Sequence, residues 1–123
     1  MRRIQSLFKV RIARGITFVL ITILIVGSLM PAKQIEPLAF SFSDKLIHAL
    51  YYATLTFFWL LSTKKNSTQK HIQVGLSVFF LGFALEIMQD VLPIQREMDV
   101  LDVFANTVGI SIAIATARFL GIR

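Results

Sequence analysis

IQVGLSVFFLGFALEIMQDVL, residues 72–92, decides how this chain is read. It has the length of a helix that crosses a hydrocarbon core of roughly 30 Å, about twenty residues, and is interrupted by charge only at Glu86 and Asp90 near its end. Pro93 follows and closes it. Three further stretches share this character. The first runs from about Gly15 to Met30, with an unbroken apolar centre from Leu20 to Val26 apart from Thr22, and is ended by Pro31. The second runs from about Ser43 or Asp44 to Ser62, and the fourth from Val100 to Gly121. A chain of 123 residues that is 55% hydrophobic, with its charges gathered between apolar runs, is a membrane composition with room for one domain. The expectation is an all-α polytopic membrane protein, a four-transmembrane-helix bundle. Residues 1–14 form a basic N-terminal segment and residues 15–123 the transmembrane domain. Gly75 and Gly82 in the third span, and Gly109, Ala113 and Ala117 in the fourth, mark faces where membrane helices pack closely.

A basic head before an apolar run also describes a signal peptide. This head is long, and Ser28-Leu29-Met30 lacks small residues at a cleavage position, so a retained anchor is expected. Cysteine is absent, which excludes disulfides and thiolate metal sites. The net charge of +6 is placed beside the spans, which suits anionic lipid headgroups and not nucleic acid.

Short cytoplasmic loops retain Lys and Arg. Arg2, Arg3, Lys9, Arg11, Arg14, Lys64, Lys65, Lys70, Arg118 and Arg123 fall on one side of the four spans, against Lys33, Lys45 and Arg96 on the other. The basic side is expected in the cytoplasm with both termini, in the plasma (inner) membrane, and Trp59 with Phe57 and Phe58 anchors the inner interface. Every carboxylate then lies at the outer side: Glu36, Asp44, Glu86, Asp90, Glu97, Asp99 and Asp102.

Asp44, His48 and Tyr52 recur every four residues and share one helical face. Glu86 with Gln89 or Asp90 makes a second face, and Asp102, Asn106, Gly109 and Ala113 a third. Plainer roles exist for several of these. Ser43, Asp44, Asp99 and Asp102 suit caps and first turns of helices, Lys45 can snorkel to headgroups, His48 can be a hydrogen-bonded structural histidine, and Tyr51 and Tyr52 can be interface aromatics. Glu86 and Asp90 have no such role, because a helix C-terminus disfavours negative charge. A carboxylate at the depth of Glu86 costs about 2–3 kcal/mol unless paired. Arg96 is its expected partner, with Lys45 or His48 as alternatives, because the guanidinium fork can hold a carboxylate at two points.

The ordered set Asp44-Lys45, His48, Tyr52, Glu86, Gln89, Arg96, Asp99, Asp102, Asn106 and Gly109 resembles the pattern of VanZ-like proteins from Ser43 to about Ala113. One departure is Ile94–Asp99, which carries less Gly and Pro than that pattern. The resemblance implies an envelope-linked role, since the founding member is associated with low-level teicoplanin resistance. It carries over Asp44, Lys45, His48, Tyr52, Glu86, Gln89, Arg96, Asp102 and Asn106 as the polar set.

Three functions are open to these residues. The first is binding or modifying a lipid-linked or otherwise anionic envelope component, with His48 and Glu86 as an acid/base pair if chemistry occurs and Arg96 clamping the anion. The second is a structural or interaction subunit whose polar cluster locks the bundle. The third is small-scale proton-coupled transport through Glu86 and His48. A hard-cation site on Glu86, Asp90 and Asp102 is weakly specified, so no metal ligand is assigned. The cofactor and the oligomeric state are both left open.

Overall fold

The computed structural model describes residues 2–31, 41–64 and 67–122. Lys33, Glu36, Lys65 and Arg123 lie outside the described residues, as do the side chains of Arg2, Arg3 and Ser43. Four helices run in order: α1 (Arg2–Ser28), α2 (Ser41–Leu61), α3 (Thr68–Val91) and α4 (Val100–Phe119), with no strand among the described residues. The expected all-α four-helix bundle is present. Ser6–Ser28 of α1, together with α3 and α4, is long and apolar enough to cross a membrane.

α2 falls short of that standard of apolarity because its first two turns carry Asp44, Lys45 and His48. Its place in the bundle explains the tolerance: α2 touches each of the other three helices, most extensively α4. Tyr52, Leu55 and Leu60 of α2 meet Val74 and Val78 of α3 and Ile110 and Ala117 of α4 in one buried cluster. α1 lies at the margin and exposes Phe18, Val19, Ile23 and Val26. It begins about a dozen residues before the apolar run, so the basic head is helical from Arg2 onward. Arg14 Nε donates to the Ser62 carbonyl at 3.1 Å, placing a cation at the C-terminal end of α2, where the helix dipole favours it. Tyr51 donates its hydroxyl proton to the Leu20 carbonyl at 2.6 Å, so it ties α1 to α2 and is no mere interface aromatic.

α3 begins at Thr68, with Ser67 as its N-cap accepting from the Lys70 amide at 3.2 Å. His71 therefore belongs to the helix and not to the preceding loop. It is buried, and neither ring nitrogen has a partner among the described residues. Thr56 is a second buried polar side chain with no such partner.

The small residues act as the sequence suggests. A Cβ on Gly109 would lie 2.1 Å from the Ala49 carbonyl oxygen and 3.0 Å from the Ala53 amide nitrogen, so α2 and α4 touch backbone to backbone. At Gly82 a Cβ would meet the ring of Tyr52 at 2.7 Å, and at Gly75 it would meet Ile114 Cδ1 at 2.9 Å. Gly15 faces open space. Gly109→Ala is expected to cost about 3 kcal/mol, the upper end for overpacking, because backbone cannot rotate aside. Gly15→Ala is expected to be neutral or to stabilise by about 0.5–1 kcal/mol through helix propensity alone. Thermal unfolding in detergent distinguishes the two; equal effects would contradict the close approach.

Candidate functional site

The α2–α4 contact at Ala49 and Gly109 sets the register of the polar residues that precede it on both helices. Lys45 and His48 of α2 face Asp102 and Asn106 of α4, which are both buried. The Lys45 ammonium bonds Asp99 Oδ2 and Asp102 Oδ1 directly and lies 3.6 Å from Asp44 Oδ2. Lys45 thus ties α2 to α4 and does not simply snorkel. Asp99 is the N-cap of α4, accepting from the Leu101 amide at 2.8 Å, and Asp102 occupies its first turn. Asp44 lies in the first turn of α2. The capping expectation therefore holds for Asp99, and the dipole expectation for Asp44 and Asp102.

His48 Nδ1 lies 3.0 Å from Asn106 Oδ1, and its Nε2 lies 3.8 Å from both Asp44 Oδ1 and Asp102 Oδ2. The ring stacks on Tyr52, with centroids 6.3 Å apart. Tyr52 is buried against Gly82, which removes the plainer alternative of an interface aromatic: the missing side chain on α3 makes room for its ring.

The expected pairing of Glu86 is also corrected. Glu86 is buried, and its Oε2 accepts from the Asp99 amide at 3.2 Å, but it makes no ion pair with Arg96, Lys45 or His48 among the described residues. Arg96 instead donates from Nη1 to the Gly27 and Ser28 carbonyls at 3.4 and 3.3 Å, and Gln89 Nε2 donates to Ser28 at 2.9 Å. The last carbonyls of α1 have no intrahelical donor, and these two side chains supply one. Asp90 Oδ1 receives the Met98 amide at 3.5 Å. Between them Glu86 and Asp90 hold the loop that leads into α4. In that loop Gln95 adopts φ 57°, a left-handed conformation at the point where the sequence is poor in glycine.

A cavity of about 230 Å³ opens between α1, α2 and α3. Its apolar wall is Ile23, Leu24 and Ile47, and its polar wall is Asp44, His48, Tyr51, Tyr52, Gln89 and Arg96. Glu86, Lys45, Asp102 and Asn106 stand behind that wall and do not line it.

The sequence profile of the VanZ/LLP1 family matches residues 17–121, which takes in α2, α3, α4 and most of the apolar run of α1. The chain belongs to the VanZ/LLP1 family. No curated protein and no solved structure matches it. In this VanZ/LLP1 protein the residues that carry the resemblance divide into an α2–α4 ion cluster and a cavity wall, two features that the linear order of the motif does not separate. The matched region also contains buried Thr56 and His71, which sequence reading passed over because single polar residues in apolar runs carry no pattern.

Two outcomes test this geometry. Lys45, first, and the Leu101 amide hold the Asp99 carboxyl below its usual range. A depressed carboxylate pKa contributes stability that is present above the unfolded value of about 3.9 and is lost as pH falls through the folded one. Asp99→Asn is expected to reduce the loss of melting temperature between about pH 5 and pH 3, the window around that value. Glu86→Gln keeps an acceptor for the Asp99 amide and removes an unpaired buried charge, so its melting temperature is expected to equal or exceed that of wild type. Glu86→Ala removes the acceptor and is expected to cost about 1–3 kcal/mol.

Proposed function

We propose that this membrane protein binds an anionic, lipid-anchored component of the cell envelope at the polar end of its bundle, with that end on the outer face and both termini in the cytoplasm. The observation that carries the reading is the composition of the cavity between α1, α2 and α3. An acyl chain or prenyl tail fits against Ile23, Leu24 and Ile47, and Arg96, Gln89, His48 and Tyr51 offer hydrogen-bonding groups to a headgroup on the facing wall. Arg96 commits Nη1 to α1 and keeps further donors on its guanidinium for an anion. Binding is favoured over acid/base chemistry because Glu86 neither lines the cavity nor contacts His48.

The ion cluster of Lys45 with Asp44, Asp99 and Asp102 favours a second reading, a structural or interaction subunit in which the polar end only locks α2 to α4. A teicoplanin-resistance role belongs to the first reading, with the bound component being one that the antibiotic also encounters at the outer surface.

Orientation is tested with single cysteines at Ser67 and Gln95, the chain having none of its own. An impermeant thiol reagent on intact cells is expected to label position 95 and spare position 67, and the reverse pattern would invert the topology. Function is tested by overproduction in a susceptible host and measurement of teicoplanin susceptibility. His48→Gln and Arg96→Gln are expected to insert normally and abolish any protection, whereas Lys70→Gln at the other end retains it. Retention of protection by both cavity variants would favour the structural reading.

A further inference from the structure

The imidazole of His48 and the carboxylates of Asp44 and Asp102 are arranged differently from the rest of the polar end. Each acid turns one oxygen toward Lys45 and the other toward the histidine: Asp102 bonds Lys45 through Oδ1 and faces His48 through Oδ2, and Asp44 approaches Lys45 through Oδ2 and faces His48 through Oδ1. The ammonium thus orients both carboxylates, and their second oxygens converge on Nε2. At 3.8 Å these contacts are too long for hydrogen bonds. They are close to the spacing of neighbouring ligands around one ion, because bonds of about 2.1 Å in a tetrahedral site put ligand atoms about 3.4 Å apart. The three ligand atoms all lie within 4.8 Å of one another.

The far side of the ring completes the pattern. In the tautomer that donates from Nδ1 to Asn106 Oδ1, 3.0 Å away, the Nε2 lone pair is free on the side of the two carboxylates. A hydrogen bond of this kind commonly fixes the tautomer of a metal-binding histidine and raises its basicity. Asn106 is almost fully buried, and its Nδ2 has no partner among the described residues, so the amide is held by this one contact. The charge balance agrees, since three carboxylates face the single ammonium of Lys45 and leave two negative charges for a dication to neutralise.

We propose that Asp44, His48 and Asp102 bind a transition-metal dication of the Zn²⁺ type, held between α2 and α4 at the edge of the cavity. One imidazole with two carboxylates suits Zn²⁺, Mn²⁺ or Co²⁺ better than Mg²⁺ or Ca²⁺, whose sites are built from oxygen. Asp44 and His48 also line the cavity, so a position left open on the ion is adjacent to the space assigned above to the headgroup. The site deepens that reading but does not depend on any envelope ligand being found.

The test uses the full chain purified in detergent and stripped with a chelator, then titrated with Co²⁺, Zn²⁺, Ca²⁺ and Mg²⁺ separately. Binding of Co²⁺ is read by its visible absorption, displacement by Zn²⁺ by the loss of that absorption, and effects on the fold by melting temperature. One Co²⁺ per chain, displaced by Zn²⁺ and not by Ca²⁺ or Mg²⁺, is expected to raise the melting temperature. His48→Gln and Asp102→Asn are expected to weaken it at least tenfold, while Asp90→Asn binds as wild type does. Wild-type protein that takes up no Co²⁺ or Zn²⁺, or uptake that survives both substitutions, would overturn the proposal. Equal displacement by Ca²⁺ would overturn it too, because the histidine would then play no part. None of these outcomes bears on whether the cavity holds an amphiphile, which the susceptibility assay reads separately.

Discussion

The approach of α4 to the backbone of α2, with Gly109 against Ala49, is the contact on which the polar end depends. Where a Cβ would sit 2.1 Å from a carbonyl oxygen, only glycine permits the two axes to come this close. With the axes at that distance, the helical repeat dictates which side chains meet in the next turn. Lys45 and His48, four residues and one residue before Ala49 on α2, meet Asp102 and Asn106, seven and three residues before Gly109 on α4. A larger residue at position 109 would separate the helices and lengthen every one of these contacts together.

The energetics of the polar end differ between its two halves. On the α2–α4 side, opposite charges meet directly: Lys45 is held by Asp99 and Asp102, whose positions in the cap and first turn of α4 also suit the helix dipole. Breaking such a pair strands the partner that remains, which is the costly event. On the α1–α3 side there is little charge pairing. Gln89 and Arg96 satisfy the open end of α1, and Glu86 accepts a single amide. That half therefore keeps unspent hydrogen-bonding capacity beside an apolar wall, and it is the half that contains the cavity.

Much of this was legible in the sequence. Apolar length located the cores of all four helices, and the four-residue recurrences correctly grouped Asp44 with His48 and Asp102 with Asn106. The small-residue stripe of Gly109, Ala113 and Ala117 identified the packed face of α4. The start of α1 was not legible, because a basic helix that continues beyond an apolar run has no hydrophobic signal to mark it. Partner choice was hidden for a different reason. Arg96 and Glu86 are satisfied by backbone carbonyls and an amide, groups that every residue carries and that no motif can announce. The burial of Tyr52 was hidden because it depends on a glycine in another helix.

The account is tested most directly by the coupling energy between Lys45 and Asp102, measured by a double-mutant cycle of Lys45→Met and Asp102→Asn on unfolding in detergent, in wild-type and Gly109→Ala backgrounds. A coupling of about 1–3 kcal/mol in the wild-type background is expected, in the range of residues that share one salt-bridge network, with most of it lost when position 109 carries a methyl group. A coupling near zero in the wild-type background, or one that Gly109→Ala leaves intact, would contradict the claim that the helix contact builds the polar end.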